Sequence, residues 1–272
     1  MAEYMYGIRE DGSVVSIYDI KDNEFGKRCG CKCPQCHRLL QACALSEHSK
    51  KSRYFRHDYE GYNREGIDSL NGCTATSANE SGLHMMAKEL IAETRRIALP
   101  AMITNVMRLG LEYDKDIMIR LREKIDHEIT LAPEFVFDCS DVVEVEKQYN
   151  RFRPDVCVSG NGQTYFIEIA VTHKVDADKQ TKVETSGLPM LEIDLSQYVD
   201  EGISREALRA LLSESVKHKR WICLPGDVME GLRQNVMEQA QIMIKEKEDA
   251  EKHLPSDYSF SSNYIQQYSQ QQ

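Results

Sequence analysis

The 272-residue chain has no run approaching the roughly 18 apolar residues of a membrane-spanning helix, and its mean hydropathy is only -0.51. Its opening stretch, MAEYMYGIRE, lacks the charged, apolar and small-residue regions of a secretion signal, so a cytoplasmic protein is expected. It also lacks an excess of positive charge. With 34 Lys and Arg against 44 Asp and Glu the net charge is -10, which excludes a protein that coats nucleic acid with its whole surface. There is no internal repeat. What remains is ordinary globular material, 41% hydrophobic and long enough to bury a core.

Cysteine is not scarce. Nine cysteines in a reducing compartment point to metal or buried thiols rather than disulfides. Cys29, Cys31, Cys33, Cys36 and Cys43 crowd one short stretch, with Cys73 following, while Cys139, Cys157 and Cys223 read as small core residues. The spacing Cys33-Pro34-Gln35-Cys36 lets two thiolates reach one tetrahedral ion from a tight turn. His57, in RYFRH, and Cys73, in NGC, are the best further ligands, which gives a closed structural Zn2+ site that staples a polar module. Cys29, Cys31 and Cys43 compete for the same ion, and His37 and His48 read as surface residues.

The charge is also unevenly spread. From Lys27 to Asp58 eight Lys and Arg residues (27, 28, 32, 38, 50, 51, 53 and 56) stand against only Glu47 and Asp58. A basic module on an acidic body suits contact with phosphate at one place, with Lys50, Lys51, Arg53 and Arg56 as the candidate nucleic-acid contacts.

Periodicity predicts a β-hairpin turning at Asp11-Gly12, a Gly/Asn/Ser-rich loop from Glu60 to Asn79, and a helix from near Glu80 over ESGLHMMAKELIAETRRIAL. Its apolar positions Leu83, Met86, Ala87, Leu90 and Ile97 suit one face. GLEYDKDIMIRLR and HEITLAPEFVFDCSDVVEVEKQ suggest strands and connecting pieces. RFRPDVCV and TYFIEIAVT read as a strand pair around SGNGQ. VDADKQTKVETSGL follows as a helix ending near Gly187, then PMLEIDLS as a strand. This gives a mixed sheet covered by helices. Helices are expected over ISREALRALLSESV and GDVMEGLRQNVMEQAQIMIKEKEDAEK. Met229, Leu232, Val236, Ile242 and Ile244 on the latter could pack on the body or on a second copy, and a homodimer or another protein partner is one expectation. The expected organisation is a hairpin and zinc module at 1–78, a catalytic-type domain at 79–225, a C-terminal helix at 226–254 and a disordered Ser/Gln/Tyr-rich tail at 255–272.

The chemistry centres on the apolar strand YFIEIAVTH. Glu168 in its middle is costly beside a core unless a partner or a metal meets it. Ordinary hairpin pairing brings Asp155 across from it. Two facing carboxylates need a shared proton or a divalent cation, and oxygen ligands suit Mg2+ or Mn2+. The hairpin alone fits equally well two edge-strand carboxylates paired with Arg151 and Arg153. Glu80, His84 and Lys88 form a polar stripe at i, i+4 and i+8 on the helix. Beyond Glu168 come His173 and Lys174, then Lys179 and Lys182, cations of the kind that phosphodiester hydrolysis needs.

RPD at 153 to 155 followed by IEIAVTHKVDADK at 167 to 179 resembles the PD-(D/E)XK nuclease superfamily, and CPQC…YFRH…C…ESGLHMMAKEL resembles its competence protein CoiA-like branch with a zinc-knuckle N-terminus. The resemblance spans about residues 29 to 200. It implies a restriction-endonuclease-like αβββαβ core with a mixed sheet, an α/β fold preceded by a small zinc-binding module and followed by C-terminal helices. It further implies Asp155, Glu168 and the Ile169 carbonyl as ligands for catalytic Mg2+ or Mn2+, with Glu80 assisting. The family usually has lysine two residues after the glutamate, where this chain has Ala170, and some members move it onto the following helix, where Lys179 or Lys182 would serve. His173 would orient water or phosphate, or else bond to backbone at the strand end. The implied activity is divalent-metal-dependent endonucleolytic hydrolysis of DNA, in processing of or defence against foreign DNA. The alternative is a noncatalytic nucleic-acid-binding adaptor on a degenerate nuclease fold.

Overall fold

The computed structural model describes residues 3–44, 53–58, 73–125, 128–149, 152–172, 180–181, 183, 185 and 187–252. The chain divides into two compact units, Met1–Met102 with Thr130–Gly226, and Ile103–Ile129 with Asp227–Gln272.

The first unit opens with β1 (Tyr6–Ile8) and β2 (Val14–Ser16), an antiparallel pair whose turn carries Gly12 at φ 87°. β3 (Leu40–Cys43) and β4 (Tyr54–His57) form a second antiparallel pair with Leu40 opposite His57. Helix α1 (Ala75–Thr94) begins at Ala75 rather than near Glu80, because Thr74 caps it by accepting the Ser77 N–H at 3.1 Å. It ends before Ile97, since Arg95 adopts the left-handed conformation at φ 50° and its guanidinium reaches the Cys139 carbonyl at 3.0 Å. Ile97 therefore lies on strand β5 (Arg96–Leu99).

Strands β6 (Met102–Thr104), β7 (Ile129–Ala132) and β8 (Phe135–Asp138) follow, β8 pairing antiparallel with β5. Then come β9 (Val142–Val145), β10 (Val156–Gly160), β11 (Gln163–Ala170), β12 (Met190–Asp194) and β13 (Lys219–Cys223). These last five make one sheet in the order β13-β12-β11-β10-β9. It is mixed, since β11 and β12 run parallel and the other neighbours antiparallel. Asn161 and Gly162, both at positive φ, form the two-residue turn between β10 and β11, as the twist of a hairpin requires. RFRPDVCV contributes to the sheet only from Val156, since Pro154 carries no N–H to pair.

Alternation along β11 separates its two faces. Tyr165, Ile167 and Ile169 join the main core with Leu83, Met86, Ala87, Leu90 and Ile91 of α1. Phe166 belongs to a second cluster with Phe152, Cys157, Val183, Met190 and Ile222. By parity, Glu168 and Ala170 belong to the Phe166 face.

Helices α2 (Lys115–Lys124), α3 (Tyr198–Glu201), α4 (Arg205–Glu214) and α5 (Gly226–Lys252) complete the described α-structure, with residues 180, 181, 183 and 185 also helical. Lys219 closes the C-terminal end of α4, its ammonium donating to the carbonyls of Leu212 and Ser215, both at 2.6 Å, and Ala98 at 3.0 Å. Burial pushes that ammonium down to about 7. The three carbonyls oppose this, because only the charged form has a donor for each.

The second unit has its own small core. Ile117 and Leu121 of α2 pack with Val236, Ala240 and Met243 of α5, and Met229, Leu232 and Ile244 lie against that cluster while Ile242 stays exposed. GLEYDKDIMIRLR thus ends in a helix, not a strand. Asp114 caps it by accepting from the N–H groups of Asp116 and Ile117, both at 3.0 Å, and Ile117 and Leu121 share one face at i, i+4. Among the described residues no helix is long and apolar enough to cross a membrane.

Candidate functional site

Cys33, Cys36, His57 and Cys73 converge, with all their ligand atoms within 4.8 Å of one another. The first pair comes from a tight knuckle: the Cys33 N–H donates to the Arg38 carbonyl at 2.8 Å, the His37 N–H donates to the Cys33 carbonyl at 3.0 Å, and His37 takes φ 59°. His57 comes from the end of β4, and Cys73 immediately precedes the Thr74 cap of α1. Cys33 Sγ lies 3.7 Å from Cys73 Sγ, and Cys36 Sγ lies 3.2 Å from His57 Nε2. A tetrahedron with sulfur about 2.3 Å and nitrogen about 2.0 Å from the ion has edges of roughly 3.8 Å and 3.5 Å. The four side chains could therefore hold a metal ion such as zinc. Burial, and then the neighbouring Cys33, push the Cys73 thiol up, so an ion would bind by displacing protons. Cys29, Cys31 and Cys43 stand apart from this cluster, their thiols donating to the carbonyls of Leu40, Cys29 and Gln41.

The knuckle is seated on α1. Ser81 donates to the Gln35 side chain at 2.9 Å, and at Gly82 a Cβ would stand only 3.1 Å from Pro34 Cγ. The same turn of α1 borders an open cleft of about 290 Å³ lined by Glu80, Ser81, His84, Ile169, Val171 and Thr172. Asp155 lies beside it. Its Oδ2 accepts the Ile169 N–H at 2.8 Å and lies 3.0 Å from His84 Nε2. Burial disfavours its charge, but the hydrogen bond and charge of His84, the Ile169 N–H and the Lys88 charge outweigh that and hold the carboxyl below its usual range.

The β10–β11 register ends with Val156 opposite Ile167, and just beyond it the Asp155 side chain takes the Ile169 N–H, next in the chain to Glu168. Glu168 is 7% exposed and pairs across the parallel ladder with Glu192, which is fully buried and receives Arg220 Nε at 2.6 Å. Glu168, Glu192 and Arg220 thus form one row across three strands, β11, β12 and β13. Among the described residues, only the Cys33, Cys36, His57 and Cys73 group gathers three or more Cys, His, Asp or Glu ligand atoms within 4.8 Å.

The sequence-derived site residues fall into three sets. Glu80 and Ile169 line the cleft, Asp155 accepts the Ile169 N–H at the open end of the β10–β11 pair, and Glu168 falls by parity on the other face of β11 from Ile169. Arg53 lies 3.5 Å from Asp22 and stacks 5.1 Å over the Phe25 ring, while Arg56 donates to the Gln41 side chain at 2.9 Å. His173, Lys179, Lys182, Lys50 and Lys51 lie outside the described residues, as do Arg151 and the tail from 255. The sequence marks His84 and Lys88 only as members of a polar stripe. Their side chains turn to the sheet, His84 to Asp155 and Lys88 to Glu146. The signal that could have found them was the i, i+4 spacing with Glu80. Glu146 and Glu192 carried no such signal. Comparison of the chain with models of known families, with curated proteins and with solved structures finds no match.

Proposed function

We propose that the chain is a divalent-metal-dependent endonuclease that hydrolyses the phosphodiester bonds of DNA on a restriction-endonuclease-like core, the PD-(D/E)XK arrangement of the CoiA-like type. One observation carries the reading: the Asp155 carboxylate is held by the Ile169 N–H, next to Glu168 in β11, and by His84, beside a cleft that Glu80, His84 and Ile169 line. The order of elements supports it as well. After α1 come β5 to β8 and α2, and then the antiparallel β9, β10 and β11, helical residues up to 185 and β12 parallel to β11, so an αβββαβ succession is met only with four strands and a helix inserted after its first helix.

The donor set fits Mg2+ or Mn2+, being carboxylate and carbonyl oxygens with room for water. Asp155, Glu168 and the Ile169 carbonyl would hold the ion, which when bound polarises a phosphodiester and lowers the pKa of an attacking water. The chain's own residues do the rest: α1 presents Glu80 to the cleft, and the basic residues of the N-terminal module, Arg53 and Arg56 among them, contact phosphates away from the reacting bond.

Replacing Asp155 or Glu168 with Ala and incubating with plasmid and Mg2+ or Mn2+ tests the assignment. Loss of cleavage in both variants is expected, and undiminished cutting by both would overturn it. One observation favours a second reading. Ala170, buried on the Glu168 face, leaves no lysine at the usual position, and none is among the described residues that line the cleft. A noncatalytic adaptor would bind nucleic acid in a salt-sensitive way without divalent-dependent cutting.

A further inference from the structure

The two carboxylate oxygens of Asp155 are held differently. Oδ2 takes both donors, the Ile169 N–H at 2.8 Å and His84 Nε2 at 3.0 Å. Oδ1 takes no hydrogen bond among the described residues, which leaves its lone pairs for something else. The main chain of Asp155 is fixed as well, because its carbonyl accepts the Glu146 N–H at 2.9 Å. Glu146 sits at φ 53°, a conformation that costs a residue with a Cβ. Lys88 holds its carboxylate, and Arg153 Nε holds its carbonyl at 2.7 Å.

His84 and Lys88 are one helical turn apart on the same face of α1. That one rigid face therefore grips Asp155 twice, through its side chain by His84 and through the neighbouring loop by Lys88. We infer that His84 is a positioning residue, which donates from Nε2 to Oδ2 of Asp155 and so fixes the orientation of a carboxylate that would help hold a divalent cation. The inference rests on the metal-dependent reading above. Both the imidazolium and the Nε2–H tautomer supply this donor, so the geometry does not depend on the charge of the ring. An outer partner of this kind fixes the orientation of a metal ligand, and its loss typically costs about 10- to 100-fold in metal affinity.

A merely structural contact between α1 and the sheet would change stability and leave metal affinity alone. The test is Mn2+ binding by electron paramagnetic resonance on the full chain, with zinc bound at the cysteine cluster and no nucleic acid. Wild type is compared with His84→Ala, His84→Gln and His84→Asn, and unfolding midpoints are recorded alongside. Glutamine places an N–H near the Nε2 position and asparagine near Nδ1, and both replace the ring with a polar amide. His84→Ala and His84→Asn are expected to weaken Mn2+ binding about 10- to 100-fold, with His84→Gln recovering most of it. Asp155→Asn is expected to abolish binding.

Asparagine and glutamine variants that both bind Mn2+ within twofold of wild type, while Asp155→Asn does not, would overturn the role of His84 and leave the metal site standing. Wild type that binds no Mn2+, or Asp155→Asn that binds it normally, would overturn the metal site and with it this inference.

Discussion

Gly82 sits in the interior of α1, where Gly→Ala ordinarily stabilises a helix by about 1 kcal/mol. Here the opposite sign is expected. A Cβ at this position would lie 2.5 Å from Tyr6 Cβ, 3.2 Å from Tyr6 Cγ and 3.1 Å from Pro34 Cγ. Carbon atoms rest about 3.5–4.0 Å apart, so the surroundings must open by about 1 Å. Tyr6 cannot swing away cheaply. The clash falls on an atom one bond from its backbone, its ring is fully buried, and its hydroxyl donates to the Tyr198 carbonyl at 2.7 Å. Overpacking of this kind costs about 1–3 kcal/mol. Taking the upper end and subtracting the propensity gain leaves Gly82→Ala destabilised by about 2 kcal/mol, a fall in Tm of roughly 4–8 °C for a unit of this size. Thermal and urea unfolding of the metal-loaded full chain measure it. Gly231→Ala on α5 is the control, since its Cβ meets nothing within 4 Å and a gain of up to about 1 kcal/mol is expected. A Gly82→Ala protein as stable as wild type would refute the close seating of the cysteine knuckle on α1.

Chelation of the metal, or Cys73→Ser, should lower Tm and loosen the start of α1. Hydrogen exchange at Ala78 and Asn79 checks this, and unchanged protection after chelation would show that the cluster does not hold the helix. Lys88, by its hydrogen bond and charge, holds the Glu146 carboxyl below its usual range. That contribution is complete above the unfolded value near about 4.3 and fades as pH falls through the lower folded one. The stability gap between wild type and Lys88→Met should therefore narrow between about pH 5 and pH 3. A gap constant across that window would mean the pair contributes nothing that titrates.

The sequence was most readable where one physical rule dominates. SGNGQ marked the hairpin turn, which tightens to the two residues Asn161 and Gly162, the alternation of β11 separated its two faces, and the knuckle spacing with His57 and Cys73 anticipated a cluster that could hold a metal ion. The misreadings have equally local causes. Ala75 to Asn79 is too small and polar to show a helical period, yet Thr74 caps it, and Asn79 is buried because its amide satisfies the Met5 N–H and the Glu3 carbonyl. Ile97 fits the helical period, but Arg95 leaves the helix first. Lys115–Lys124 reads as extended because its charged residues hide a face of two buried side chains, Ile117 and Leu121. Glu192 sits in an apolar strand much as Glu168 does, and its partner Arg220 comes 28 positions later, beyond the reach of any local pattern.

The adjacency of Cys73 and Thr74 has a geometric consequence. An α-helix turns about 100° per residue, so whatever clamps its first residue sets the compass bearing of every side chain after it. In α1 the clamp is a cysteine of the Cys33, Cys36, His57 and Cys73 cluster, and Glu80, His84 and Lys88 are bearings on that dial, His84 about 15 Å along the axis from Thr74. One residue inserted between Thr74 and Glu80 would keep both the cluster and the helix while swinging all three side chains a quarter turn and more away from the β10–β11 pair. The length of this junction is thus fixed to the residue, although no residue within it from Ala75 to Asn79 lines the cleft.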